Sequence, residues 1–65
     1  MLKVNSIYCW KKHMLNQRDL EKNMVYFVVV KKNTMNVTIR YLSGSGELKS
    51  YTRDLLSDDH ISLVS

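Results

Sequence analysis

Residues 24–52 read MVYFVVVKKNTMNVTIRYLSGSGELKSYT, and the spacing of their apolar residues decides the fold. In NVTIRYL, Val37, Ile39 and Tyr41 fall on one face and Thr38, Arg40 and Leu42 on the other, the period-two alternation of a half-buried strand. The chain has only two glycines and spends both, Gly44 and Gly46, in the SGSG that follows. A reversal whose residues adopt positive φ explains that choice, because glycine tolerates such backbone and β-branched residues do not. SGSG is therefore predicted as a hairpin tip. GELKSYTR after it is a more polar, more exposed strand, with Leu48 as its expected inward residue.

Upstream, MVYFVVV holds the strongest β signal in the chain, since valine and phenylalanine favour a pleated, buried surface. It is predicted as the central strand. KKNTMN then supplies Asn33 and Asn36 for a turn, so two hairpins stand next to each other. At the amino end KVNSIYCW reads as a first strand, with Val4, Ile7 and one face of Tyr8, Cys9 and Trp10 inward. The segment from Lys11 to Asn23 is too polar for a core strand and weakly helical, with Leu20 and Met24 four apart. A long basic mobile loop is the first expectation there and a short helix the alternative. TRDLLSDD offers Thr52 as a helix N-cap and Asp54 in the first turn, where exposed N–H groups favour an anion. One 3₁₀ or α turn then brings Leu55 and Leu56 to the core. HISLVS returns as a short last strand with Ile61 and Leu63 inward.

The order of a first strand, a long loop, three meandering strands, a helical turn and a short last strand resembles the SH3-like small barrel along essentially the whole chain. SIYCW, VYFVVV, NVTIRYLSGSGELKSYT, RDLLSD and ISLV carry the resemblance. In detail it is most similar to Tudor-type barrels, with an aromatic first strand, a third strand ending in tyrosine, a glycine-bearing turn and a leucine-bearing helical turn. Tudor domains typically place an acidic residue or asparagine where this chain has Ser43, Gly44, Ser45 and Gly46, which weakens the implied recognition of methylated cations. KOW-type barrels, which bind RNA or RNA polymerase, are also similar, but their glycine-centred opening is missing. A fold resemblance does not by itself fix a function.

Sixty-five residues make one domain, 1–65, with a small core, since a chain of this size buries only about 60% of the surface its unfolded form exposes. The single cysteine, Cys9, cannot form an internal disulfide, which points to a reducing, cytoplasmic setting. The longest apolar run, Met24 to Val30, falls well short of the roughly 20 residues that span a bilayer, and no signal-peptide pattern opens the chain, so no membrane partner is expected.

Charge is uneven. Up to Lys32, Lys3, Lys11, Lys12, Arg18, Lys22, Lys31 and Lys32 face only Asp19 and Glu21, a net +5; from Asn33 onward the net is −1, giving the chain its +4. An anionic partner fits this distribution, and so does solubility alone. Tyr8, Trp10, Lys11 and Lys12 form an aromatic-basic cluster at the end of the first strand, on which Tyr26 and Tyr41 are expected to converge. With Arg18, Lys22, Lys31 and Lys32 they form the candidate binding face. Ring stacking contributes about 1 to 3 kcal/mol per base of single-stranded nucleic acid and lysines track phosphates, so nucleic acid is the first-choice partner. The other reading is that Trp10 and Tyr41 close a small core that needs large side chains. An aromatic cage for a cation is disfavoured by Lys11 and Lys12.

Cys9 and His13, with His60 and Asp58 or Asp59, have metal-ligand types, but a structural zinc site usually shows paired Cys or His motifs, so no metal or cofactor is expected. Cys9 with either histidine is the only nucleophile–base pairing, and so small a core leaves little room for a catalytic cleft, so an enzyme is not expected. The alternative function is a protein-binding regulator or inhibitor, for which MVYFVVVKK or the last strand would offer an edge. A homodimer is a further option, and a phage-encoded regulator fits the chain's size and basic character.

Overall fold

The computed structural model describes residues 2–43 and 46–65. Its strands are β1 (Ile7–Trp10), β2 (Tyr26–Lys32), β3 (Asn36–Tyr41), β4 (Leu48–Thr52) and β5 (Ile61–Leu63). All pair antiparallel in one sheet of order β4–β3–β2–β1–β5. The β-branched and aromatic run of β2 forms the interior strand, bonded to β1 on one side and β3 on the other. It is therefore not an edge, and edge pairing through MVYFVVVKK is not offered by this fold. A 3₁₀ turn, Arg53–Leu56, carries the chain from edge strand β4 to edge strand β5. This is a mainly β chain whose strand order and final helical turn fit a small SH3-like barrel.

Side-chain parity builds the core. The cross-strand pairs Phe27–Tyr41 and Val29–Ile39 share one face, and Phe27, Val29, Val37 and Ile39 are fully buried. Tyr8 and Trp10, two apart on β1, join them, as do Leu2, Leu56 and Ile61. Phe27 is the hub: its ring centroid lies 5.3 Å from Trp10, 6.1 Å from Tyr41 and 6.2 Å from Tyr8. After Val29 the register shifts, and Val30 is the extra residue of a bulge before Lys31 pairs with Thr38.

Several inward expectations change sides. Asn5 takes φ 72° and turns the chain before β1, so the strand starts only at Ile7 and Val4 stays exposed. Leu48 is exposed because it pairs with Arg40 on the outer face; Tyr51, opposite the buried Val37, turns inward instead. Leu63 pairs with inward Tyr8, yet at the open end of a three-residue edge strand nothing covers it. Thr52 holds the N-cap position of the last 3₁₀ turn without a side-chain capping bond, and Leu56 is buried with Leu55 packed beside it.

The segment after β1 takes the helical alternative. A 3₁₀ turn, Lys12–Met14, leads to helix α1, Gln17–Glu21. Asn16 and Asp19 form a reciprocal capping box, with Asp19 N–H donating to Asn16 Oδ1 at 2.8 Å and Asn16 N–H to Asp19 Oδ2 at 3.2 Å. Asn23, at φ 55°, ends the helix. At the β3–β4 reversal Gly46 has φ 70°, the backbone that the glycine content foretold; Gly44 and Ser45 lie outside the described residues.

Candidate functional site

Because α1 stands over the inner side of the β3–β4 hairpin, a cleft of about 540 Å³ opens between them. A small core thus does leave room for a cleft, since the helical segment between β1 and β2 adds a wall that the strands alone lack. Trp10, Tyr41 and Tyr51 line it with Met14, Met24 and Leu55, while Arg18, Asp19, Lys22, Glu47 and Lys49 supply its charge. The three rings are linked. Trp10 Nε1–H donates to the Tyr41 hydroxyl at 3.0 Å, and the Tyr41 and Tyr51 hydroxyls share a bond of 3.3 Å. Trp10 and Tyr51 meet edge to face with centroids 5.6 Å apart. Burial, and then the bond with Tyr51, push the Tyr41 hydroxyl well above the ordinary tyrosine range, so it stays protonated.

The expected aromatic-basic face is divided by the fold. Of its ten residues only Trp10, Arg18, Lys22 and Tyr41 meet, at this cleft. Tyr8, Trp10 and Tyr41 do not form an open rim: they are 4%, 8% and 4% exposed, because residues 8, 10 and 41 all fall on the inner parity. The Tyr8 hydroxyl accepts the Lys3 N–H at 2.8 Å. Tyr26 pairs with Cys9 on the opposite, outer parity. Lys11 and Lys12 sit where Trp10 N–H bonds the Val25 carbonyl and Lys11 N–H bonds that of His60. Lys31 lies five residues along β2 from Tyr26, about 16 Å at roughly 3.3 Å per residue. Next to it Lys32 Nζ donates to the Leu2 carbonyl at 2.8 Å.

A second feature lies on the other side of the same strands. Tyr26 is flanked by Cys9 and Leu42, and Val28 by Ile7 and Arg40, which pairs onward with Leu48. Tyr26, Leu42, Leu48 and Val64 are each more than half exposed. None of the five strands contains an aspartate or glutamate; their charged residues are Lys31, Lys32, Arg40 and Lys49. The Arg40 stem runs beside Gly46, its Cδ 3.7 Å from where a β-carbon there would stand.

Neither His13 nor His60 is among the residues that line the cleft. His60 Nδ1 is 2.9 Å from the Leu55 carbonyl and 3.2 Å from Ser57 Oγ, and His13 stacks obliquely on its ring. Among the described residues no group of three or more His, Cys, Asp and Glu side chains is arranged to hold a metal ion. No helix among them is long and apolar enough to cross a membrane.

Sequence reading missed Tyr51, Lys49 and the two methionines of the cleft. A register argument would have found the first two, since Val37 and Ile39 face inward and so must their partners Tyr51 and Lys49. Comparisons with protein family models, curated proteins and solved structures find no match to the chain.

Proposed function

We propose that this chain is a non-catalytic binding module that takes an acidic, amphipathic segment of another protein on the outer face of its sheet. One observation carries the reading. The run Tyr26–Val30 is apolar at every position, as strands buried on both faces are, yet only its inner half, Phe27 and Val29, is fully covered. Tyr26, Val28, Leu42 and Leu48 then form an apolar surface of the kind that marks interaction sites on monomers.

Charge supports the acidic partner. The chain carries +4, and the charged strand residues on the outer parity are the cations Arg40 and Lys31, so a second copy would meet like charge there while a carboxylate-bearing segment would meet complementary charge. Arg40, set among Val28, Leu48 and Leu42, is suited to a bidentate bond with such a carboxylate, strengthened by apolar surroundings. Burial of Tyr8, Trp10 and Tyr41 takes away these three rings as an open stacking platform for nucleic acid, because stacking needs exposed ring faces.

A peptide-display selection tests this. Enriched segments should combine apolar residues with aspartate or glutamate, Arg40→Glu should weaken them about tenfold or more, and Tyr26→Asp should abolish them. Enrichment of basic segments, or binding indifferent to both substitutions, would overturn the assignment.

A further inference from the structure

We propose that the cleft beneath α1 is a separate site for a flat ring bearing a phosphate, that is, a nucleotide, either free or exposed in a nucleic-acid strand. Its observations are independent of the outer face. At about 540 Å³ it lies within the roughly 300–1,000 Å³ of small-ligand pockets.

The charges in the cleft are unequal in what they have left to offer. Its two acids are engaged within the chain: Glu47 pairs with Lys49 at 3.4 Å, and Asp19 closes the capping box on Asn16. Arg18 in α1 and Lys22 at its C-cap, four apart and so near neighbours, take part in no ion pair among the described residues. Both are exposed and both line the cleft, and with Lys49 against Asp19 and Glu47 they give its lining a net charge of +1. A phosphate suits them, because the guanidinium fork matches its oxygens and the ammonium adds a point charge.

The deeper lining asks for a different chemistry. Met14, Met24 and Leu55 are partly buried against the core and give an adaptable apolar wall. Thioethers make favourable contacts with aromatic rings, so this wall accepts a planar group edge-on or face-on. Trp10 and Tyr41 close the floor, their polar atoms bonded to each other, while Tyr51 is only half-buried and its hydroxyl has capacity for a further bond. A small polar ring edge can therefore bond at the floor while the phosphate stays at the mouth. Inorganic phosphate alone would use only half of the site.

The test is calorimetric titration with adenosine monophosphate, inorganic phosphate and a short single-stranded oligonucleotide, with fluorescence of Trp10, the only tryptophan, as a second readout. Saturable binding of the nucleotide at least tenfold tighter than phosphate is expected. The doubly substituted R18Q/K22Q protein, altered only at exposed positions, should lose at least tenfold in affinity with an unchanged circular dichroism spectrum. Tyr26→Asp on the outer face should leave nucleotide binding as it was, which separates this site from the proposed protein-docking surface. Oligonucleotide binding much tighter than the mononucleotide would identify a strand as the source, and equal binding a free nucleotide. No saturable binding of either, phosphate binding as well as nucleotide, or an unaffected R18Q/K22Q protein would each overturn the proposal.

Discussion

The two faces of the sheet are made of similar residues and meet opposite fates. Val29 is fully buried, while Val30, its neighbour in sequence, is 39% exposed. Inside, the rings of Tyr8, Trp10 and Tyr41 surround Phe27, and no buried side-chain nitrogen or oxygen among the described residues lacks a partner. Outside, Tyr26, Leu42 and Leu48 are each more than half exposed, on a face they share with Thr38, Arg40 and Ser50. Apolar character alone is thus not what distinguishes core from surface here. Coverage is: the inner face is closed by Leu2, Leu56 and Ile61, whereas among the described residues none of the outer face is buried.

The strongest way to probe the contrast is from within. Phe27→Ala removes the hub of the inner face and should cost about 3–5 kcal/mol. In so short a chain, whose core is small, that should leave it largely unfolded, which a urea titration followed by circular dichroism would read. A stable Phe27→Ala protein would mean that the inner face is not the core.

A smaller loss is expected from Tyr41→Phe, which leaves the buried Trp10 N–H without its acceptor and should cost about 1–3 kcal/mol. The same hydroxyl makes stability depend on alkaline pH. The folded chain holds the Tyr41 proton more tightly than the unfolded one, as burial raises its pKa. That contribution is complete below the ordinary tyrosine value of about 10 and is lost as pH rises beyond it. Melting temperatures should accordingly fall less steeply above about pH 10 in Tyr41→Phe than in the parent; equal slopes would contradict the assignment.

The least effect belongs to the outer face. Tyr26→Thr keeps a strand-favouring residue where the ring is half in solvent, and should move stability by no more than about 0.5 kcal/mol. A loss on the scale of Phe27→Ala would abolish the distinction between the faces. Unchanged stability together with lost binding of acidic segments would sharpen it.

Much of this was legible in the residues. NVTIRYL announces its inward set, Val37, Ile39 and Tyr41, because alternation is a property of the extended backbone itself. RDLL announces a turn that seats Leu56. Asn16 and Asp19, spaced as a capping box, contain the signal for α1, although the polar composition around them suggests a loop. Leu48 misleads because hydropathy favours it over Tyr51, whereas pairing to Val37 decides the face. The candidate site was legible only in part: Arg18, Lys22, Trp10 and Tyr41 meet at the cleft, while Lys31 and Lys32 lie at the far end of β2.

The sequence by itself determined the β class, the central strand, the glycine turn and the alternation that gives each strand two faces. Those are local consequences of backbone geometry and side-chain shape, so a few consecutive residues carry them. Only the tertiary structure decided which face of β2 is covered, which strands are edges and where α1 stands over the sheet. Covering depends on contacts between residues distant in sequence, such as Leu56 and Ile61 closing over Phe27's face, and no local pattern records which of two apolar surfaces the chain will have the material to cover.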